Sequence, residues 1–101
     1  NIIKTTPYMI NVIGHTDDRP VKTSRFPSNW ELSLARAGRV ARHLIDDTKL
    51  PASQFSVSGY SSYRPVVANT SEENRKINRR VEIVLSKELP QVKAATPANL
   101  Q

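Results

Sequence analysis

Apolar and polar positions along this chain follow two periods in alternation, one of about 2 residues and one of about 3.6. Tyr8-Met9-Ile10-Asn11-Val12-Ile13-Gly14 is rich in branched residues and stops at a glycine, which predicts a strand buried on at least one face. Residues 54–60 alternate apolar and polar through Phe55, Val57 and Gly59, and predict a second strand. Val81-Glu82-Ile83-Val84-Leu85 predicts a third.

The longer period lies between the first two strands. Trp30, Leu34, Ala37, Ala41 and Leu44 recur at intervals of four and three, with Val40 and Ile45 beside them. This is the stripe of an amphipathic helix ending near residue 47, with those residues toward the core. Its other faces carry Arg36, Arg39, Arg42 and His43. The start is marked by Ser28-Asn29-Trp30-Glu31, whose ends have the spacing of a capping box, and Thr70 and Glu73 offer a second box for a short polar helix.

Residues 15–28 carry two prolines, two aspartates and three basic residues without a period, and read as a long loop. We expect residues 18–27 to be a solvated or gating segment that does not itself hold a ligand, because they offer few apolar anchors to offset the entropy of ordering them. The element order is strand, helix, strand, helix, strand. A strand–helix–strand unit favours a right-handed crossover with the helix on one sheet face, so the expected fold is a small α+β sandwich of mixed sheet and two helices. Residues 1–89 form the expected domain, and residues 90–101, which have no period, an expected disordered tail.

Composition narrows the function. The 101 residues contain 15 Lys and Arg against 9 Asp and Glu, a net charge of +6, and no cysteine. Disulfides, thiolate metal sites and cysteine nucleophiles are therefore excluded. No apolar run approaches the roughly 20 residues of a membrane-spanning helix. The only methionine is Met9, so a processed chain or a piece of a longer protein is expected. The basic balance invites a nucleic-acid reading, but the cations are scattered and aromatics few, which favours a solvated basic surface and no nucleic-acid partner.

Gly14-His15-Thr16-Asp17-Asp18 places a polar cluster where the first strand meets the long loop. Arg36 lies at the boundary between core and loop on the following helix, so Asp17 and Arg36 are candidates for one shallow plus-and-minus pocket. A plain salt bridge pinning the loop is the alternative. His15, Asp17 and His43 lack the closely spaced set of a metal site. No pair of carboxylates is placed to face across a substrate. No metal, cofactor or catalytic residue is therefore assigned.

Together, Gly14-His15-Thr16-Asp17, Asn29-Trp30-Glu31-Leu32-Ser33 with Ala35-Arg36-Ala37, Gly59-Tyr60, Arg64-Pro65 and Asn78-Arg79-Arg80-Val81-Glu82-Ile83 resemble the OmpA-like peptidoglycan-binding domain. The resemblance spans about residues 8 to 86, and the segment from Arg19-Pro20 to Ser33 is more similar to the MotB, flagellar-stator, branch than to outer-membrane porins or Pal lipoproteins. It implies an OmpA-C-like βαβαβ fold with two helices packed on one face of a mixed sheet.

It also implies a noncatalytic periplasmic module that grips the diaminopimelate of the cell-wall stem peptide. Asp17 and Arg36 take the positions of the family's ligand-holding pair, and Thr16, Asn29 and Arg79 those of lining groups. The implied partners are peptidoglycan, a second copy in a homodimer, and a membrane-embedded subunit reached through an N-terminal region. The machine so anchored is the flagellar stator, or alternatively an outer-membrane or secretion-system assembly. Arg19-Pro20 and Asn74 stand where glycines are common in the family, and Ser61-Ser62 after Gly59-Tyr60 also departs from its pattern.

Overall fold

The computed structural model describes residues 8–87; the expected tail at 90–101 lies outside them. In chain order the elements are β1 (Met9–Gly14), α1 (Asn29–Thr48), a single 3-10 turn (Ala52–Gln54), β2 (Phe55–Gly59), α2 (Glu72–Asn78) and β3 (Val81–Ser86). The sheet order is β2-β1-β3. β2 lies parallel to β1, with Val57 beside Val12 and Gly59 beside Gly14. β3 is antiparallel to β1, with Val81 beside Gly14. This is the expected mixed three-stranded sheet with two helices.

β1 is central because it can be buried on both edges and one face. Alternate side chains point to opposite faces, and Ile10 and Val12 meet Ala37, Ala41 and Leu50 in the core, with Val40, Leu44, Phe55 and Val81 packed around them. On the other face Asn11 Oδ1 accepts the hydroxyls of Ser56 and Ser58 at 3.0 and 3.2 Å.

The buried stripe of α1 differs from the predicted one: its buried residues are Ser33, Ala37 and Ala41. Trp30 and Leu34 are 46 % and 45 % exposed. The reason is how close the helix comes to the sheet. A Cβ on Gly14 would lie 2.0 Å from the Ser33 carbonyl oxygen, and one on Gly59 2.5 Å from Ser33 Oγ. The closest approach falls at Ser33, so Trp30, roughly 60° round the helix, is turned aside, while Leu34 lies partly exposed over Gly59, where an added Cβ would stand 2.8 Å from Leu34 Cγ.

Ser28 caps α1 by accepting the Trp30 amide at 3.1 Å, and its hydroxyl donates to the Glu31 carboxylate, so the two box residues pair through side chains. At the far end Lys49 takes a left-handed φ of 59° and donates its amide to Ile45 O. The cap of α2 is Ser71, which accepts the Asn74 amide at 3.1 Å, and the predicted Thr70 is displaced. Both carry the required hydroxyl, but the helix starts at Glu72, so only Ser71 stands at the capping position.

Two of the departures from the family pattern have structural answers. Ser61 adopts φ 56°, a left-handed conformation that favours glycine. It is held there by its amide donating to Ser33 Oγ at 3.1 Å and its carbonyl accepting the Thr16 amide at 2.9 Å. Asn74 donates its side-chain amide to Ala68 O at 2.8 Å and so ties α2 to the preceding loop. Asn78 completes that corner. Fully buried, it accepts the Val66 and Val67 amides and donates to Val67 O and Asn69 Oδ1.

Candidate functional site

The site forms where β1 ends, β2 ends and β3 begins. Past Gly14 the backbone stays pinned, with His15 donating its amide to Arg80 O at 2.9 Å. Thr16 and Asp17 are thereby buried at 4 % and 6 % exposure. The Thr16 hydroxyl donates to Asp17 O at 2.9 Å, so this predicted lining residue serves to hold the strand end and lines neither of the two depressions described below.

Asp17 takes Arg79 as its ion-pair partner, with Arg79 Nη1 2.5 Å from Asp17 Oδ2. The other oxygen accepts the Arg19 amide at 2.9 Å. A salt bridge between Asp17 and Arg36, the alternative considered from the sequence, is not formed; the antiparallel return of β3 sets Arg79 against the carboxylate instead. Burial by itself would push the Asp17 carboxyl up. The Arg19 amide and the Arg79 guanidinium overcome it, and the group is held below the usual carboxylate range.

Glu72, the first residue of α2, joins the cluster. It accepts Arg79 Nη2 at 2.8 Å and Arg19 Nη2 at 2.5 Å. The Arg79 hydrogen bond foremost, with the Arg19 charge, lowers its carboxyl, and Glu72 and Asp17 together raise Arg79. Asp18 accepts Arg75 Nε at 3.0 Å. The near end of the long loop is thus tied to α2 through Asp18 and Arg19, while further along Thr23 and Phe26 close a turn on each other. Sequence reasoning missed Arg19, Glu72 and Arg75. The available signal was the acidic first turn of α2 followed by Arg75 and Arg79 at helical spacing.

Arg36 and Arg79 come together on the β3 side of the cluster, where with Arg80 and Val81 they line an open depression of about 320 Å³. Asp17, Asp18 and Glu72 are occupied by Arg79, Arg75 and Arg19, and Arg80 holds Glu82 at 2.8 Å. Arg36 is the cation of this wall that has no hydrogen-bond or ion-pair partner among the described residues. Such a guanidinium can take a carboxylate on two parallel N–H bonds. Asp17 retains acceptor capacity, since an ionised carboxylate offers about four lone-pair sites and two are used here.

Asn29 does not line the Arg36 depression. Its Nδ2 donates to Arg19 O at 3.0 Å, and it lines a second depression of about 280 Å³ with Asp18, Trp30 and Tyr63 among others. His15, weighed above as a metal ligand, is buried with Nε2 3.3 Å from Glu82 Oε1 and its ring stacked on Tyr60 at 5.6 Å.

A three-stranded mixed sheet whose central strand ends in a buried carboxylate held by Arg79, with Arg79 and Arg36 of the crossover helix lining a neighbouring depression, defines a small binding module. The chain belongs to the OmpA family, whose profile matches residues 1–79. Among its relatives is motility protein B of Bacillus subtilis, 44 % identical over 84 residues covering 83 % of this chain and 32 % of that protein. The C-terminal domain of Helicobacter pylori MotB superimposes with a TM-score of 0.77 at 43 % identity, over 87 % of this chain and 67 % of that one. The cell wall anchor of the Pseudomonas aeruginosa T6SS does so with 0.72 at 46 % identity, over 80 % of this chain and 56 % of that one. The chain spans about a third of the length of the curated relatives it matches.

Proposed function

We propose that this domain is a noncatalytic clamp for peptidoglycan that works by recognising the diaminopimelate side chain of the stem peptide. The observation that carries the reading is the unpartnered guanidinium of Arg36 in a depression shared with Arg79, which in turn holds the buried Asp17. Diaminopimelate ends in an ammonium and a carboxylate on one carbon. The carboxylate is taken by Arg36, with Arg79 beside it, and the ammonium by the free lone pairs of Asp17. The Arg19 amide and Arg79 together hold the Asp17 carboxyl below the usual range, so the acceptor is ready before the ligand arrives.

In the longer protein the domain anchors a membrane machine to the wall from the periplasm, as a dimer joined to a membrane-embedded partner through an upstream region. The similarity to motility protein B of Bacillus subtilis and to the solved Helicobacter pylori MotB domain supports a flagellar stator. The similarity to a T6SS cell wall anchor supports a second reading, a secretion-system anchor using the same clamp.

The test is co-sedimentation with purified sacculi of the diaminopimelate type at about 0.3 M salt, where nonspecific attraction is screened over a few ångströms. The wild-type chain is retained, and Arg36→Ala is lost to the supernatant. Retention of wild type no greater than that of an unrelated protein of the same charge overturns the reading.

A further inference from the structure

The root of the long loop is held by a closed ring of groups. The Arg19 amide donates to Asp17 Oδ1, and the Arg19 guanidinium donates to Glu72 Oε1. Glu72 Oε2 accepts Arg79 Nη2, and Arg79 Nη1 returns to Asp17 Oδ2. Two cations and two anions, from the end of β1, the loop, α2 and the start of β3, thus close on one another. Beside the ring, Asn29 of α1 donates to Arg19 O, and Arg75 of α2 to Asp18 Oδ1. Arg19-Pro20 stands where glycine is common in the family, and a glycine in place of Arg19 would leave the ring open.

Past Arg19 the loop has nothing comparable. Among the described residues, the hydrogen bonds of 20–27 are those of the Thr23–Phe26 turn, and Arg25 lies over the Phe26 ring, so these contacts stay inside the segment. Val21 and Phe26 are partly buried and the other six residues are exposed. Lifting the loop would expose little apolar surface and release chain entropy, so the resistance to it comes from the root. There the Arg19 and Glu72 side chains are 56 % and 51 % exposed, and an exposed ion pair holds only weakly.

We propose that residues 18–27 form a strap, latched to α2 by Arg19–Glu72 and Asp18–Arg75, that swings away when the latch is released while the sheet and α1 stay folded. Asp18, Pro20 and Val21 line the second depression opposite Asn29 and Trp30 of α1, so the strap is the movable wall of that hollow. The closed position carries a cost that opening relieves: Asn29 Oδ1 is buried with no hydrogen-bond partner, and water satisfies it once the strap lifts. The device involves no bound ligand and stands apart from the peptidoglycan reading.

Trypsin tests it on the full chain. It cuts after Lys22 and Arg25 in the strap, not after Arg19, which precedes proline, and after Arg39 and Arg42 within α1. Strap sites report local opening and the α1 sites unfolding of the whole, because cleavage follows the population of the open form when reclosing is fast. Arg19→Gln is expected to speed strap cleavage about threefold to fivefold, the effect of one exposed ion pair, and to leave cleavage at Arg39 and Arg42 unchanged. Adding Glu72→Gln to Arg19→Gln should speed the strap no further than Glu72→Gln alone, since both remove one contact. Trp30 is the only tryptophan in the chain, and acrylamide should quench its emission more strongly in Arg19→Gln. Strap cleavage of Arg19→Gln at the wild-type rate overturns the latch, and so does equal acceleration at the α1 sites, which would mean that the strap opens only when the chain unfolds. Faster strap cleavage with Trp30 quenching unchanged overturns the movable wall.

Discussion

Asp17 and Arg79, 62 positions apart in sequence, meet at 2.5 Å because β3 returns antiparallel along β1 and sets Val81 beside Gly14. The carboxylate is therefore neutralised only once the last strand has docked. Until then it would be a charge at a strand end with the Arg19 amide alone for company, and closing the sheet and completing the site are one event.

Arg36 and Arg79 should separate binding from stability. Arg36 has no partner among the described residues, so Arg36→Ala is expected to change the unfolding free energy by no more than about 0.5 kcal/mol while removing sacculus binding. Arg79→Ala strips the buried Asp17 and also Glu72, and should lower both the melting temperature and binding. Thermal unfolding and co-sedimentation of the two variants side by side make the comparison. A melting temperature for Arg79→Ala equal to that of wild type would show that the ion pair contributes nothing to the fold.

The approach of α1 to the sheet makes Gly14 irreplaceable. The Cβ of Gly14→Ala would stand 2.0 Å from backbone at Ser33, whereas Gly38→Ala meets nothing within 4 Å. The first should destabilise by about 3 kcal/mol or more, at the upper end of overpacking costs. The second should stabilise by roughly 0.5 to 1 kcal/mol, as alanine replaces glycine inside a helix. Urea unfolding of both variants is the measurement, and equal midpoints would contradict the close packing.

Asn78 has no apolar substitute. Removing its side chain in Asn78→Ala leaves the Val66 and Val67 amides and the Val67 carbonyl without their partner. Each such group costs about 1 to 3 kcal/mol if it stays buried. We expect a loss of about 3 kcal/mol by denaturant unfolding, and faster amide exchange at Val66 and Val67. Retention of protection at those two amides would count against this account.

Acid should destabilise the domain in a defined window. Asp17, Glu72 and Glu82 are all held below their ordinary values of 3.8 for aspartate and 4.5 for glutamate. The unfolded chain takes up these protons first as pH falls, so the stabilisation is complete above the ordinary values and is lost on descending through them to the lower folded ones. The melting temperature should be level from about pH 7 to 5.5 and decline below about 4.5. Asp17→Asn should flatten part of that decline. A melting temperature that rises from pH 5 to 3 would reverse the sign and refute the assignment.

Much of this was legible because strands and helices leave periods in a sequence. Ile10 and Val12 announced β1, and Ser28 the start of α1. Trp30 misled because its spacing from Leu34, Ala37 and Ala41 fits a helical stripe, while the decisive fact, that α1 comes closest to Gly14 and Gly59 at Ser33, is a contact between distant elements. Asp17, Arg36 and Arg79 stood out from their motifs. Which of the arginines Asp17 would take depended on strand register, which no local pattern encodes. The choice of Ser71 over Thr70 turned on a one-residue difference in where α2 starts, finer than capping chemistry can resolve.

β1 is flanked on both edges, Asp17 sits just past one end of it, and the chain enters at Met9 at the other. Tension between a bound wall and whatever precedes Met9 would run along that strand. Inter-strand hydrogen bonds lie across the strand direction, so sliding β1 out strains those to β2 and β3 together, where peeling an edge strand would break them one after another. The topology that assembles the clamp also sets it in shear, the geometry in which a sheet resists a sustained pull best.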